Sequence, residues 1–217
     1  MTKRTATKLD FKKADKRLYA AKPDAWQAVD VPEMPFLVID GQGDPNGPEY
    51  TAALGALYPM AYGVKFAMKD AGQDFVVPPL EALWWSEDKS AYVTNDRAAW
   101  QWRAMLRMPD AVAGDLVEQV REGVLAKQAK KKDGAAPAMV HAVRLLCFEE
   151  GRCLQRLHIG PYTDEAPVLA DLHDRVMPEQ GLRFAGEHHE IYLSDPRRVV
   201  PEALKTILRQ PVKGLDG

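Results

Sequence analysis

The amino-acid sequence carries an internal duplication, and this feature limits the possible folds more than any other. The segment Leu83–Glu87 resembles Ile191–Asp195, and Met105–Pro109 resembles Ile207–Pro211. The matching segments follow the same order in both halves of the chain. Because a repeated sequence builds the same supersecondary unit twice, we predict two β-α-β-β units. Packed together as one α+β domain, they would form an antiparallel sheet with helices on one face.

Hydrophobic periodicity places the elements in the order that such a duplication requires. Pro59 lies inside the first predicted helix and is expected to kink or split it, because proline lacks an amide hydrogen and clashes with the preceding turn. Strands are predicted at 36–39, 80–86, 98–108, 141–148, 152–159, 187–193 and 205–212, and helices at 48–71, 114–128 and 164–178.

The charge pattern and the breaker residues predict the domain organisation. Residues 1–22 hold eight Lys and Arg and two Asp, so we interpret residues 1–28 as a basic N-terminal extension. The charged and then small residues of Lys130–Pro137 are typical of a linker, which we place at about 129–138. Repeat one then covers about 29–128 and repeat two about 139–217 of a single domain spanning 29–217.

Composition argues against several classes of function. Lys and Arg number 29 against 31 Asp and Glu, which argues against a nucleic-acid binder. No run approaches the roughly 18 apolar residues of a membrane span, and no apolar segment follows the basic N-terminus as in a signal peptide. We therefore expect a cytoplasmic protein. The five histidines show no metal-ligand spacing and the glycines no dinucleotide motif, so we expect no metal and no cofactor.

The predicted strand 187–193 points to a binding site. Side chains alternate along a strand, so Glu190 and Tyr192 share one face while His189 and Ile191 share the other. We expect the helices to pack against the apolar face, which leaves Glu190 and Tyr192 facing a cleft, with Trp84 beside them by repeat equivalence. Aromatic rings stack on flat ligands and attract cations, and a carboxylate among them supplies charge or accepts a proton. The alternative, in which the tryptophans belong to the core, stays open.

Four segments together resemble one known family. They are Phe36–Gly47, Val77–Trp85, Leu157–Tyr162 and Glu187–Arg198, and they resemble the GyrI-like small-molecule-binding family. The resemblance is to its stand-alone subfamily, which includes cyclopropanoid cyclopropyl hydrolases. It implies duplicated SHS2-type repeats with a ligand cleft between them, aromatic walls and a central glutamate.

The resemblance also implies roles for particular residues. The central glutamate corresponds to Glu190, which would position or deprotonate the water that attacks the cyclopropane ring of a substrate. When the cyclopropane ring of the substrate opens, negative charge develops on the carbonyl oxygen conjugated to it. A tyrosine hydroxyl, for which Tyr162 is the best candidate, would donate a hydrogen bond to that oxygen. The candidate ligand-binding aromatic residues are Tyr58, Tyr62, Trp84, Trp102 and Tyr192.

Four functions remain open at this point. The chain could be a detoxifying hydrolase, a binder that sequesters xenobiotics unchanged, or a ligand-sensing module. It could also be an inhibitor of a protein partner, although the acidity of the body is weak support for this reading. In the first three, the partner is a hydrophobic, aromatic or cationic small molecule, and the protein is a monomer or a homodimer.

Overall fold

The computed structural model describes residues 8–87, 96–131 and 136–215. Residues 1–7 of the predicted basic extension and 132–135 of the predicted linker lie outside the described residues. The chain is α+β, and the strand pairings of its described residues are antiparallel, which confirms the predicted fold class. None of the described helices combines the length and apolarity that a membrane crossing requires.

The helices and strands have the following bounds. The helices are α1 Phe11–Ala14, α2 Lys16–Tyr19, α3 Pro48–Asp70, α4 Gly114–Gln128, α5 Pro137–Ala142, α6 Ala166–Asp171 and α7 Met177–Glu179, the last two joined by a π-helical turn at Leu172–Val176. The strands are β1 Gln27–Val31, β2 Met34–Gln42, β3 Leu80–Trp85, β4 Gln101–Arg107, β5 Arg144–Phe148, β6 Gly151–Ile159, β7 Leu182–Phe184, β8 His188–Tyr192 and β9 Lys205–Gly214.

The chain divides into two compact units, each discontinuous in sequence. The first contains the described residues of Met1–Ala14, Met34–Pro78 and Trp85–Phe148. The second contains Asp15–Glu33, Pro79–Trp84 and the described residues of Glu149–Gly217.

In the first unit, β2 pairs with both β4 and β5, and α3 supplies much of the core. The prediction that Pro59 would kink or split this helix is wrong on the second count, because α3 is one continuous element from Pro48 to Asp70. An interior proline costs about 3 kcal/mol. Burial of residues on both sides of it, Leu57 and Met60 among them, offsets that cost, since each fully buried large apolar side chain contributes roughly 1.5–3 kcal/mol.

Gly41 of β2 lets the Trp102 ring of β4 lie directly against the backbone. A Cβ at Gly41 would lie 2.2 Å from Cη2 of Trp102, a ring that is fully buried. We therefore expect Gly41→Ala to lower the free energy of unfolding by about 1–3 kcal/mol in urea denaturation, as overpacking does. Gly55→Ala on α3 is the matched control, because nothing lies within 4 Å of its added Cβ. Alanine there should be neutral or stabilising. Equal stability of Gly41→Ala and wild type would contradict the close approach.

In the second unit the strand order is β1-β6-β9-β8-β3, with β7 paired to β9. Strands β1 and β7 were not predicted, since neither has a long alternating pattern. In the first unit, helix α5 occupies the start of the predicted strand 141–148, because Pro137 is well suited to a first helical turn.

Cross-strand pairing shows which side chains share a face of the strands of this second unit. Opposed residues of an antiparallel pair lie on the same face. Glu190 is opposite Leu208, and Leu154 is opposite Gln210, two positions further along β9. Leu154 therefore shares the face of Glu190, and it packs in a buried cluster with residues of the helical segment 166–179.

This packing corrects one expectation. The helical segment of the second unit lies on the face that carries Glu190, whereas the sequence analysis had placed it against the face of His189 and Ile191. The opposite face is instead occupied by buried charged residues, so its polarity could not be inferred from Ile191 alone.

Candidate functional site

Glu190 lies in the middle of β8 on the face described above. Its side chain is 15% exposed, and its neighbour across β3 is the small side chain of Ala82. Nε2 of His188, on the same face of β8, is 3.6 Å from Oε1 of Glu190. The carboxylate is thus largely withdrawn from solvent, and the alanine beside it is fully buried.

Three of the predicted aromatic residues lie in the same unit as Glu190 and contact one another. The indole N–H of Trp84 donates to the Tyr192 hydroxyl at 3.1 Å. The Tyr162 ring meets the Tyr192 ring edge to face, with centroids 5.7 Å apart and an interplanar angle of 81°. This geometry is a favourable one for aromatic pairs. The side chains of Trp84, Tyr192 and Tyr162 therefore form one connected aromatic cluster, in which Trp84 is buried and Tyr162 is exposed.

A tight turn after β6 positions Tyr162. Gly160 has a φ of +143°, which favours glycine, and the ring nitrogen Nε2 of His158 lies 3.0 Å from the carbonyl oxygen of Pro161. Tyr162 then begins a short 3₁₀ turn that leads into α6. The Gly-Pro pair that the sequence analysis noted as preceding a helix thus sets the position of this tyrosine.

Glu165 is a member of the site that the sequence analysis missed. It directly precedes α6, is only 5% exposed, and its Oε1 has no hydrogen-bond partner among the described residues. Burial, together with the nearby charge of Glu190, raises the pKa of Glu165 to about 10. Thr206 of β9 faces this carboxyl group but compensates only weakly. A glutamate at a helix start usually lies in solvent, so no sequence signal marked it.

The same group of charges acts on Tyr162. Burial raises the pKa of its hydroxyl to about 12, and the carboxylates of Glu165, Glu190 and Asp195 add to the effect. The hydroxyl is therefore protonated at neutral pH and available as a hydrogen-bond donor. We call Glu190, Glu165, Tyr162, Tyr192 and Trp84 the Glu190 site.

The other three candidate residues lie in the first unit. Tyr62 is 46% exposed on α3, next to the ring of Phe66 at a centroid distance of 6.3 Å. Tyr58 lies one turn earlier and is half-buried. Trp102 is fully buried, with the Tyr50 ring edge against it at 4.9 Å. Trp102 therefore corresponds to the core alternative that the sequence left open, and we leave it out of the proposed ligand contacts.

A second charged cluster lies on the opposite face of the strands of the second unit. Nδ1 of His189 is 3.0 Å from Oε1 of Glu150, and its Nε2 is 3.1 Å from Oε2 of Glu81. Arg209 donates to Oε2 of Glu150 at 3.0 Å and to the carbonyl of Leu18 at 2.6 Å. We call Glu81, Glu150, His189 and Arg209 the buried network.

The charges of the buried network stabilise one another. Burial alone would raise the pKa of Glu150, but the charges and hydrogen bonds of His189 and Arg209 outweigh it and lower the pKa to about 2. Burial alone would lower the pKa of His189, but Glu150 and Glu81 raise it. Among the residues that the structure describes, no group of three His, Cys, Asp or Glu side chains is arranged to hold a metal ion.

The chain matches a known protein family and several solved structures. The family model of the GyrI-like small molecule binding domain matches residues 27–213. An uncharacterized conserved protein from Listeria innocua is 45% identical, with a TM-score of 0.84, over 95% of this chain and 100% of that one. A hydrolase from the same organism is 42% identical, with a TM-score of 0.83 and the same coverage.

A more distant structure shares the fold alone. The EcmrR C-terminal domain is 12% identical with a TM-score of 0.53, over 87% of this chain and 98% of that one. The comparison with curated proteins gave no significant match.

Proposed function

Because the chain belongs to the GyrI-like small-molecule-binding family, we propose that the Glu190 site binds flat, hydrophobic or cationic xenobiotics. We further propose that it hydrolyses cyclopropane-bearing compounds that alkylate DNA, which would make the protein a detoxifying enzyme. The observation that carries the proposal is the grouping of Glu190 and Glu165 with the aromatic cluster of Tyr162, Tyr192 and Trp84 in one unit. The similarity to the Listeria innocua hydrolase supports the catalytic part.

Binding follows from the physical properties of these groups. An aromatic surface gains free energy when a flat apolar ligand covers it, and ring faces also attract cations. Glu190 adds a fixed negative charge in a partly dry environment, where Coulomb interactions are stronger than in water. For Tyr58 and Tyr62, which lie one turn apart on the same side of α3 in the first unit, a role in ligand binding stays a prediction from the sequence.

The proposed reaction opens a cyclopropane ring that is conjugated to a dienone carbonyl. Glu190 accepts a proton from water as the water oxygen forms a bond to the ring methylene carbon. The carbon–carbon bond of the ring breaks, and its electron pair moves through the dienone to the carbonyl oxygen. Tyr162 donates a hydrogen bond to that oxygen as negative charge develops there, and the oxygen becomes a phenol by taking up a proton. The net change is the addition of one water molecule.

Replacing the two reacting residues tests this chemistry. We expect Glu190→Gln to lower the rate of hydrolysis by roughly 100-fold or more, since general-base catalysis contributes about 10²–10⁴-fold. Tyr162→Phe should lower the rate by about 10²-fold or more, as loss of one oxyanion donor does. The measurement is mass spectrometry of a spirocyclopropyl dienone alkylator after incubation, scored as gain of one water.

The control for both variants is Glu202→Gln, which removes an exposed carboxylate of the same unit. It should react as fast as wild type. Equal rates for wild type, Glu190→Gln and Tyr162→Phe would remove both residues from the chemistry. Binding without any gain of water would identify a sequestering protein in place of a hydrolase.

A further inference from the structure

The Glu190 site contains two carboxyl groups but, among the described residues, no lysine or arginine paired with either of them. We propose that Glu165 and Glu190 share one proton when the site is empty and exchange this proton for the second charge of a dicationic ligand. This inference rests on the proposed function, because it assumes that small molecules bind at this site. It adds a rule for ligand charge that the binding proposal does not contain.

The surroundings of Glu165, within the part of the chain that the structure describes, contain no group that could balance the charge of its ionised carboxylate. The residue is 5% exposed, and its Oε1 lacks a hydrogen-bond partner among the described residues. The groups that face it are Glu190 on β8, the Thr206 hydroxyl on β9 and the Tyr162 hydroxyl before α6. No cation is among these neighbours, so nothing in the empty site offsets the charge of a second carboxylate.

The groups on the far side of Glu190 do not change this conclusion. His188 is 3.6 Å from Glu190, and its charge acts on His173 of the π-helical turn. Burial, together with the charge of His188, lowers the pKa of His173, so His173 is a weak source of positive charge. Asp195, which faces Tyr162, only adds negative charge.

Two close carboxylates in a partly dry site cannot both ionise cheaply, so one of them keeps its proton. Glu165 is the more deeply buried of the two, at 5% exposed against 15% for Glu190, and burial raises its pKa, so it is the group that holds the proton. At about pH 7.5 Glu165 is then mainly protonated. The empty pair accordingly has one negative charge and one carboxylic acid.

The number of positive charges on the ligand decides what happens next. A neutral or singly charged ligand leaves the proton in place, because one positive charge is already balanced by Glu190. A dication brings a second positive charge that only ionised Glu165 can balance, so the proton leaves. Binding of a dication is therefore linked to release of about one proton. Below the pKa of Glu165, the affinity for the dication rises about tenfold for each unit by which the pH increases.

Three probes with the same biaryl frame test this rule. They are 4-phenylpyridine, which is neutral at about pH 7.5, the monocation 1-methyl-4-phenylpyridinium and the dication methyl viologen. Each is titrated calorimetrically into the full chain in two buffers of different ionisation enthalpy, which yields the number of protons released. For wild type we expect release of about one proton with methyl viologen and almost none with the other two probes.

Two variants and one control assign the proton. Glu165→Gln, nearly isosteric with the protonated acid, should abolish the release. In Glu190→Gln the monocation should release a proton as well, because buried Glu165 is then the only carboxyl group of the pair left to balance a cation. The difference between wild type and Glu165→Gln cancels any contribution of His188 or His173. Glu187→Gln removes an exposed carboxylate next to β8 and should release protons as wild type does.

The outcomes separate this inference from the binding proposal. Methyl viologen binding without proton release, or a release that persists in Glu165→Gln, overturns the shared proton. If the monocation still binds and Glu190→Gln weakens it, the proposed binding function stands alone. If none of the three probes binds wild type, both proposals are overturned.

Discussion

Glu165→Gln is expected to stabilise the protein at neutral pH, by up to about 3 kcal/mol in the free energy of unfolding. In the wild type the folded state must take up a proton that the unfolded chain does not hold, because the pKa of Glu165 rises from 4.5 to about 10 on folding. Glutamine has nearly the same shape and needs no proton. The start of α6 favours the charged carboxylate by only roughly 0.3–1 kcal/mol, which is too little to reverse the effect.

The sign of the pH dependence is specific to a raised carboxyl pKa. The stability contributed by protonated Glu165 is fully present below about pH 4.5 and is lost as pH rises toward about 10. Urea denaturation between about pH 4 and 9 should therefore show the variant and wild type converging in acid and diverging toward alkali. Glu202→Gln, an exposed carboxylate of the same unit, should follow wild type throughout. Parallel curves for Glu165→Gln and wild type would show that Glu165 is ionised in the folded state.

A gain in stability on Glu165→Gln substitution would also indicate what this glutamate does in the wild type. Carboxyl groups with strongly raised pKa values cluster at binding and catalytic sites, where stability is exchanged for function. The gain in stability of Glu165→Gln and its loss of proton release would then have a single origin.

Glu150→Gln should have the opposite effect and destabilise the protein by about 3–5 kcal/mol at about pH 7. The change removes the carboxylate that His189 and Arg209 share, at 3.0 Å from each, in a region where both cations are almost fully buried. Two buried positive charges would then be left with Glu81 as their only carboxylate partner in the network. The desolvation of these charges would no longer be compensated.

The pH dependence of the Glu150→Gln effect follows from the altered pKa values of Glu150 and His189. The stability from Glu150 is present above about pH 4.5 and is lost as pH falls toward about 2, so the difference between variant and wild type should shrink in acid. The stability from His189, whose pKa is raised, is present below about pH 6.5 and is lost as pH rises through its folded pKa. Urea denaturation at several pH values measures both the change in acid, from Glu150, and the change at higher pH, from His189.

Glu149→Gln supplies the matched control for this position. Glu149 precedes Glu150 in the chain and is exposed, so its replacement should change stability by less than about 0.5 kcal/mol. If Glu150→Gln proved as stable as Glu149→Gln, the network would contribute nothing to folding.

Much of the fold could be predicted from local patterns. The helix 114–128 and the strands beginning at Leu80 and Lys205 were predicted within about two residues, because their hydrophobic periods are regular and their ends carry clear stop signals. The α+β class is confirmed, and the family follows from motifs with few gaps. The boundaries of the two repeats, 29–128 and 139–217, stay a prediction.

The site was predictable only in part. Glu190, Tyr192 and Trp84 could be placed on one face because alternation along a strand is a local rule. Tyr162 was found through its motif. Glu165 and the buried network could not be found, because burial of a charged side chain depends on what packs over it, and a single sequence does not contain that information.

Local chain chemistry thus determined which residues form strands and helices, which of them alternate together and which family the chain belongs to. Tertiary structure alone decided which sheet face the helical segment 166–179 covers, that Trp102 is core, and that Glu165 is buried beside Glu190. The physical reason is that periodicity and turn chemistry act between residues close in sequence, whereas desolvation and charge coupling depend on groups brought together from distant parts of the chain.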